Sequence, residues 1–280
     1  MLYLALAVFC SVGIATTFKF AERRGYPDFV LFAVNYLVAT IAALIGGGGR
    51  VAPLGDASFL LFAMGLGALF IWCFFILMLA VRKLGMVLPV TLMRIAAVLP
   101  TLGSMLLYRE TPEGLQVVGI VLAFAALPLA ARGPLRKDDV RNLFSSGFGW
   151  GLLLFFSYGV TDFMFKLQKE EFPVANNYEV LVVIFGTAFL IAVVTALARR
   201  QKPGMGVALA GTVLGLFNVF AAYFFMLAIA ELSGVVVFPL NGIGVILFST
   251  LIGVLVWKEK LAPRNYIALA LAVAALLFLA

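Results

Sequence analysis

Histidine is absent from this 280-residue sequence. That absence removes Ser-His-Asp and Cys-His nucleophilic catalysis, HExxH zinc chemistry and the commonest metal ligand together. Charge is also scarce: Asp, Glu, Lys and Arg make up 12% of the chain, about half the share of a soluble globular domain. There are only two cysteines, Cys10 and Cys73. Both lie in apolar runs, so they read as buried, inert thiols and imply no disulfide framework. The Gly46–Gly49 run is followed by no Lys-Ser/Thr, which excludes a phosphate-binding loop. What the chain has in excess is hydrophobicity, at 64% of residues with a mean hydropathy of +1.14. A water-soluble fold of this length has no core large enough to hide so much apolar surface. Soluble enzyme, nucleic-acid-binding module and disordered chain are excluded on that ground, and lipid is expected to be the solvent for most of the chain.

A bilayer core about 30 Å thick needs about 20 apolar residues per helix. Ten blocks meet or approach that length, at about 2–20, 28–45, 57–81, 86–108, 114–131, 147–167, 178–198, 206–230, 233–257 and 264–280. They are continuous rather than alternating, which favours helices over a β-barrel. The first block has no basic region before it and no small-x-small cleavage site after it, so it reads as a span and not a signal peptide.

The blocks fall into two series. At an offset of 148, Ala63 and Gly67 match Gly211 and Gly215, Met78-Leu79-Ala80 matches Met226-Leu227-Ala228, and Leu84 matches Leu232. Small gaps then align Pro89 with Pro239, Arg109-Glu110 with Lys258-Glu259, Ser11 and Gly13 with Ser157 and Gly159, and Lys19 with the region of Lys166. Five spans per half is an odd number, so the halves must cross the membrane in opposite senses. The expected fold is an all-α integral membrane protein of ten transmembrane helices. Its two inverted five-helix repeats occupy residues 1–132 and 147–280, joined by a hydrophilic loop over 133–146.

The net charge of +7 is a topology signal rather than a nucleic-acid footprint, because the basic residues sit between the apolar blocks. One side of the membrane collects 15 Lys and Arg in its loops and the other side 4, with Arg94 alone inside a span. The positive-inside rule places the richer side in the cytoplasm and both chain ends outside.

Ionisable and amide groups at bilayer depth are costly, about 2.5–3.5 kcal/mol each for a charge on insertion scales. They are the first places to look for function. Asp162 lies in span 6 with Lys166 four residues on, either a local ion pair or a gate and ion-coupling group. Arg94 lies about 12 Å into span 4 at 1.5 Å per residue. It either pairs with a buried acid or presents a fixed positive charge to an anionic group. Lys19 closes span 1. Asn35, Asn218 and Asn241 sit within spans 2, 8 and 9, where an amide must find a hydrogen bond. Thr16, Tyr36, Thr91, Tyr158 and Tyr223 read as cavity-wall residues. Trp72 is a further wall residue, with membrane-belt packing as its structural alternative. Pro89 and Pro239 are expected in the first turns of their helices, with a kink at Pro100. Gly211 and Gly215 bring helices close together, either within one chain or between two copies.

The run Gly13-Ile-Ala-Thr-Thr-Phe-Lys19, the run Gly159-Val-Thr-Asp-Phe-Met-Phe-Lys166, Pro89 and Pro239, and the acids Glu110 and Glu259 together resemble the drug/metabolite transporter superfamily, in its ten-helix EamA-type branch. The resemblance implies a central cavity lined mainly by spans 1, 3, 4, 6, 8 and 9 and opened alternately to either side. It also implies cytoplasmic chain ends, opposite to the charge count. No acid lies in span 1, unlike the small multidrug-resistance branch. The expected function is secondary transport of a small polar, zwitterionic or anionic metabolite such as an amino acid or organic acid, driven by an ion gradient or by exchange. A broad exporter of aromatic or cationic compounds is the rival within transport, and a structural or lipid-scrambling protein the rival outside it. No enzyme activity, cofactor, metal or nucleic-acid partner is expected. The partners are the lipid bilayer and the solute, the chain is a monomer or homodimer, and its place is the bacterial inner membrane.

Overall fold

The computed structural model describes residues 1–50, 57–84, 87–129, 148–173, 175–255, 258 and 263–279. The loop 133–146, Glu259 and the Thr91 side chain lie outside the described residues. Every regular element among the described residues is an α-helix: α1 Leu2–Arg23, α2 Asp28–Gly46, α3 Ala57–Leu84, α4 Val87–Ile95, α5 Val98–Leu107, α6 Gly114–Leu129, α7 Phe148–Glu171, α8 Asn177–Ala198, α9 Met205–Glu231, α10 Gly234–Leu255 and α11 Pro263–Leu279. Six of them, α1, α2, α3, α8, α9 and α10, are long and apolar enough to cross a membrane.

Each apolar block is one helix except the fourth, which is broken at Ala96–Ala97 into α4 and α5. Pro100 explains the break. It has no N–H to give the Ala96 carbonyl, and its ring would strike that carbonyl in a continuous helix. The Ala96 carbonyl accepts from Leu99 N–H at 2.9 Å instead, and Ala97 N–H donates to the Arg94 carbonyl at 3.3 Å. The expected kink is thus a true interruption. Pro89 occupies the first turn of α4, whereas Pro239 is the sixth residue of α10 and lies one turn deeper than expected.

The chain forms two compact units, Met1–Ile71 with Gln168–Ala228, and Trp72–Leu167 with Ile229–Ala280. Each unit takes helices from both series of apolar blocks, so the division by contact cuts across the division by sequence repetition.

In the first unit α2 packs extensively along α8, its counterpart five blocks later. The buried residues of α2 include Leu31, Phe32, Asn35, Tyr36, Ala39 and Ala43. Those of α8 include Val180, Leu181, Ile184, Phe185, Ala188 and Ala192, each 149 residues further on. The paired helices run antiparallel. The end of α2 at Gly46 lies against the ring of Tyr178 at the start of α8, and midway the counterparts Tyr36 and Phe185 stack on each other at 6.1 Å. α3 and α9 repeat the arrangement. A Cβ on Gly67 would strike the Ile184 carbonyl of α8, and one on Gly215 would come within 2.5 Å of the Asn35 carbonyl of α2. Gly67 and Gly215 are 148 apart and Asn35 and Ile184 are 149 apart, so this is one contact made twice. Gly211 likewise meets Val34, so the small-residue motif of α9 closes helices within one chain.

In the second unit α6 packs extensively along α11, again its counterpart. Gly119, Ala123 and Ala126 are buried on α6, and Ala268, Ala272 and Ala275 on α11, at the same offset of 149. Gly119, near the start of α6, meets Leu279 at the end of α11, so this pair is also antiparallel. Large apolar side chains remain exposed in both units, among them Ile45 at 73%, Leu106 at 77% and Leu277 at 79%. Exposed large apolar side chains in such number favour a nonaqueous or protein covering.

Candidate functional site

Several polar residues of the second unit lie on α7. Tyr158, Asp162 and Lys166 follow one another at four-residue spacing and so share one stripe, with Ser157 and Thr161 on the stripe beside it. Trp72 of α3 donates its indole N–H to Ser157 Oγ at 3.1 Å. Thr161 donates to the Ser157 carbonyl at 2.8 Å, and its oxygen lies 3.2 Å from Cys73 Sγ. Both thiols, Cys10 and Cys73, are free and buried, as their apolar runs imply. Beside these contacts lies an apolar cluster of Ile76, Ala80 and Leu154, against which Tyr158 and Trp150 pack.

Arg94 stands in the last turn of α4, just before the break. Its guanidinium is within electrostatic reach of Asp162 and of Tyr158. Both charged residues are partly buried. Among the described residues they stop short of a direct ion pair. Arg94 and Asp162 are thus two opposite charges near each other and partly out of solvent in the second unit.

Of the two readings the spacing allowed, the local Asp162–Lys166 ion pair is not formed among the described residues. Lys166 turns to Glu110 instead, with Nζ 2.7 Å from Oε1 and the two side chains 5% and 16% exposed. The other carboxylate oxygen of Glu110 accepts from Val235 N–H at 3.1 Å, in the first turn of α10. Lys166 also lies over the Tyr108 ring, 5.6 Å from its centre. Arg109 makes this reach possible by adopting φ 53°, which returns Glu110 N–H to the Ser104 carbonyl. Lys258, its counterpart, has φ 52°. A left-handed residue with a side chain costs roughly 1–2 kcal/mol, so the same strain occurs at matched positions.

The remaining expected residues of the first unit find structural partners. Asn218 donates to Asn35 Oδ1 at 3.2 Å, both residues buried. Interhelical hydrogen bonds of this kind contribute about 0.6 kcal/mol in membranes. Tyr223 stacks on Tyr178 with ring centres 4.3 Å apart. Thr16 returns its hydroxyl to the Val12 carbonyl at 2.8 Å, and Lys19 is partly buried near the end of α1. Asn241, on α10 in the second unit, has a buried Oδ1 with no hydrogen-bond donor among the described residues. The structure therefore joins Trp72, Tyr158, Arg94 and Asp162 in one region of the second unit, and Asn35 with Asn218 in the first. Glu110, Ser157 and Thr161 were not among the expected site residues. Glu110 had shown only in the repeat match and as an acid of the resemblance, Ser157 only as a repeat match to Ser11, and Thr161 only within the run Gly159 to Lys166.

No family model matches the chain. It is similar to an uncharacterized protein of Haemophilus influenzae, 26% identical over 284 residues that cover 98% of this chain and 95% of the relative. It is also similar in fold to a crystal structure, with a TM-score of 0.78 at 17% identity, covering 99% of this chain and 95% of the other.

Proposed function

We propose that this chain is a multi-pass membrane transporter, built as ten spans in two inverted halves, that carries a small zwitterionic or anionic metabolite by alternating access. The observation that carries the reading is the proximity of Arg94 and Asp162 without a direct ion pair among the described residues, which we read as a charge-lined slot. A lone charge in a helix bundle is normally neutralised by contact, whereas two facing charges held apart are complementary to a solute bearing the reverse pair. On this reading an amino acid would set its carboxylate at Arg94 and its ammonium at Asp162. Organic acids would use Arg94 alone.

Three further observations support the reading. Six long apolar helices and the exposed leucines call for a bilayer. The antiparallel pairing of counterpart helices is what an inverted repeat produces about a two-fold axis in the membrane plane. The resemblance to EamA-type transporters points to the same class. With no nucleotide-binding motif, the energy source on this reading is an ion gradient or solute exchange.

A thermal-shift screen of amino acids and organic acids on purified protein, followed by counterflow in proteoliposomes with each hit, tests the proposal. A stabilising zwitterion or anion that also exchanges across the vesicle membrane is the expected result. Stabilisation only by aromatic cations would replace the solute class.

On this reading the protein lies in the bacterial inner membrane, and the charge count favours both ends outside. Single cysteines at position 2 and position 279, placed in a Cys10→Ala/Cys73→Ser background, should react with an impermeant maleimide on intact cells. Reaction only after permeabilisation would reverse the orientation.

A further inference from the structure

We propose that the Lys166–Glu110 ion pair, clamped on the first turn of α10, is the latch that holds one end of the second unit closed, with α5 as the hinged arm that carries it. The inference rests on the transport reading for its purpose, though not for its geometry.

Glu110 follows directly on α5, and α5 is a separate ten-residue helix. At its other end is the Ala96–Ala97 break, where Pro100 removes the hydrogen bond that would make α4 and α5 one rod. Interruptions of this kind absorb the φ/ψ change in hinge motions. The arm therefore has a joint at its base and an ionic contact at its tip. Its face toward α7 is smooth. Gly103 lies against the Phe163 ring, and a Cβ on Gly159 would come within 2.9 Å of the Ala96 carbonyl, at the joint itself.

The latch has the chemistry of a reversible closure. Two buried charges hold helices together no better than apolar side chains of the same size would. They do, however, separate when water or a competing charge reaches them. Glu110 holds two partners at once, the α7 ammonium through Oε1 and the α10 backbone through Oε2, so its departure frees both helices together. Beneath the contact, Ser104 is fully buried against Gly234.

The latch is also placed to respond to solute. Arg94 lies two residues before the break, and Asp162 lies one turn from Lys166 on α7. A solute drawing Arg94 and Asp162 together would therefore pull on the base of the arm and on the helix that bears the catch. The ends of blocks 4 and 6 and the start of block 9 all belong to the side with four basic residues, the side the charge count places outside.

The test uses Ser104→Cys in the full-length Cys10→Ala/Cys73→Ser protein in proteoliposomes, probed with an impermeant maleimide. Labelling should be slow with the latch intact and with Lys166→Arg. It should rise by about tenfold or more with Glu110→Gln or Lys166→Met. A control cysteine at Ala39, fully buried in the first unit, should stay protected in all variants. Unchanged labelling at position 104 in Glu110→Gln would overturn the latch. Parallel rises at positions 104 and 39 would also overturn it, because they would mean general loosening. Selective opening in a protein that moves none of the screened metabolites would support the latch and overturn the solute class instead.

Discussion

Arg94→Ala is expected to reduce metabolite counterflow by about 100-fold or more, since truncating one partner of a desolvated charge pair costs about 2–5 kcal/mol at a binding site. Arg94→Lys should retain part of the activity. It keeps the positive charge but loses the planar fork that holds a carboxylate through two hydrogen bonds. The single alanine variant also leaves Asp162 without its opposing charge, and that alone destabilises a protein interior. The double variant Arg94→Met/Asp162→Leu separates the two effects. With both charges gone it should melt at or above the wild-type temperature while counterflow stays lost. Counterflow in the double variant within a few-fold of wild type would remove the slot from the mechanism.

The second large effect is structural and comes in a matched pair. Gly67→Val and Gly215→Val should each cost about 3 kcal/mol or more, beyond the usual range for an overfilled core. The obstruction in each case is a backbone carbonyl of the facing helix, Ile184 or Asn35, and no rotamer change moves it aside. Extracted protein should lose its monodisperse peak on size exclusion, and any surviving fraction should melt well below wild type. Gly65→Ala is the internal control. Nothing lies within 4 Å of a Cβ there, so the substitution should be neutral or gain up to about 1 kcal/mol from helix propensity. Because the two glycines make the same contact in counterpart positions, their costs should agree closely. A severe loss at one and none at the other would show that the two crossings are not equivalent.

Much of the fold was legible before any coordinates. The ten apolar blocks fall where the helices among the described residues fall, because hydropathy along an apolar helix is a local property of about 20 residues. The offset that relates matched positions was legible too, though only from scattered matches such as Gly67 with Gly215. Its clearest signal, the shared set of buried positions in α2 and α8, is hidden in the sequence because counterparts differ in type. Asn35 answers to Ile184 and Tyr36 to Phe185. Burial is conserved between them and chemistry is not.

The site divides the same way. Arg94 and Asp162 announced themselves because a charge in an apolar block stands out wherever its side chain points. The partner of Lys166 did not. Sequence offers Asp162 one turn away, but that carboxylate lies within electrostatic reach of Arg94 and forms no ion pair with Lys166 among the described residues. Only the return of the chain at Arg109 brings Glu110 within 2.7 Å of the ammonium. The break at Ala96–Ala97 belongs to both levels. Pro100 makes a disturbance certain through covalent chemistry alone, whereas whether the helix bends or stops depends on what packs against the freed carbonyl, here the bare backbone of Gly159.

By itself, then, the sequence determined which stretches are helical, that they prefer oil to water, and which buried charges would need an answer. The tertiary structure alone decided which group answers each charge. Solvent preference is written residue by residue, but a contact exists only once two distant stretches of chain have been brought together.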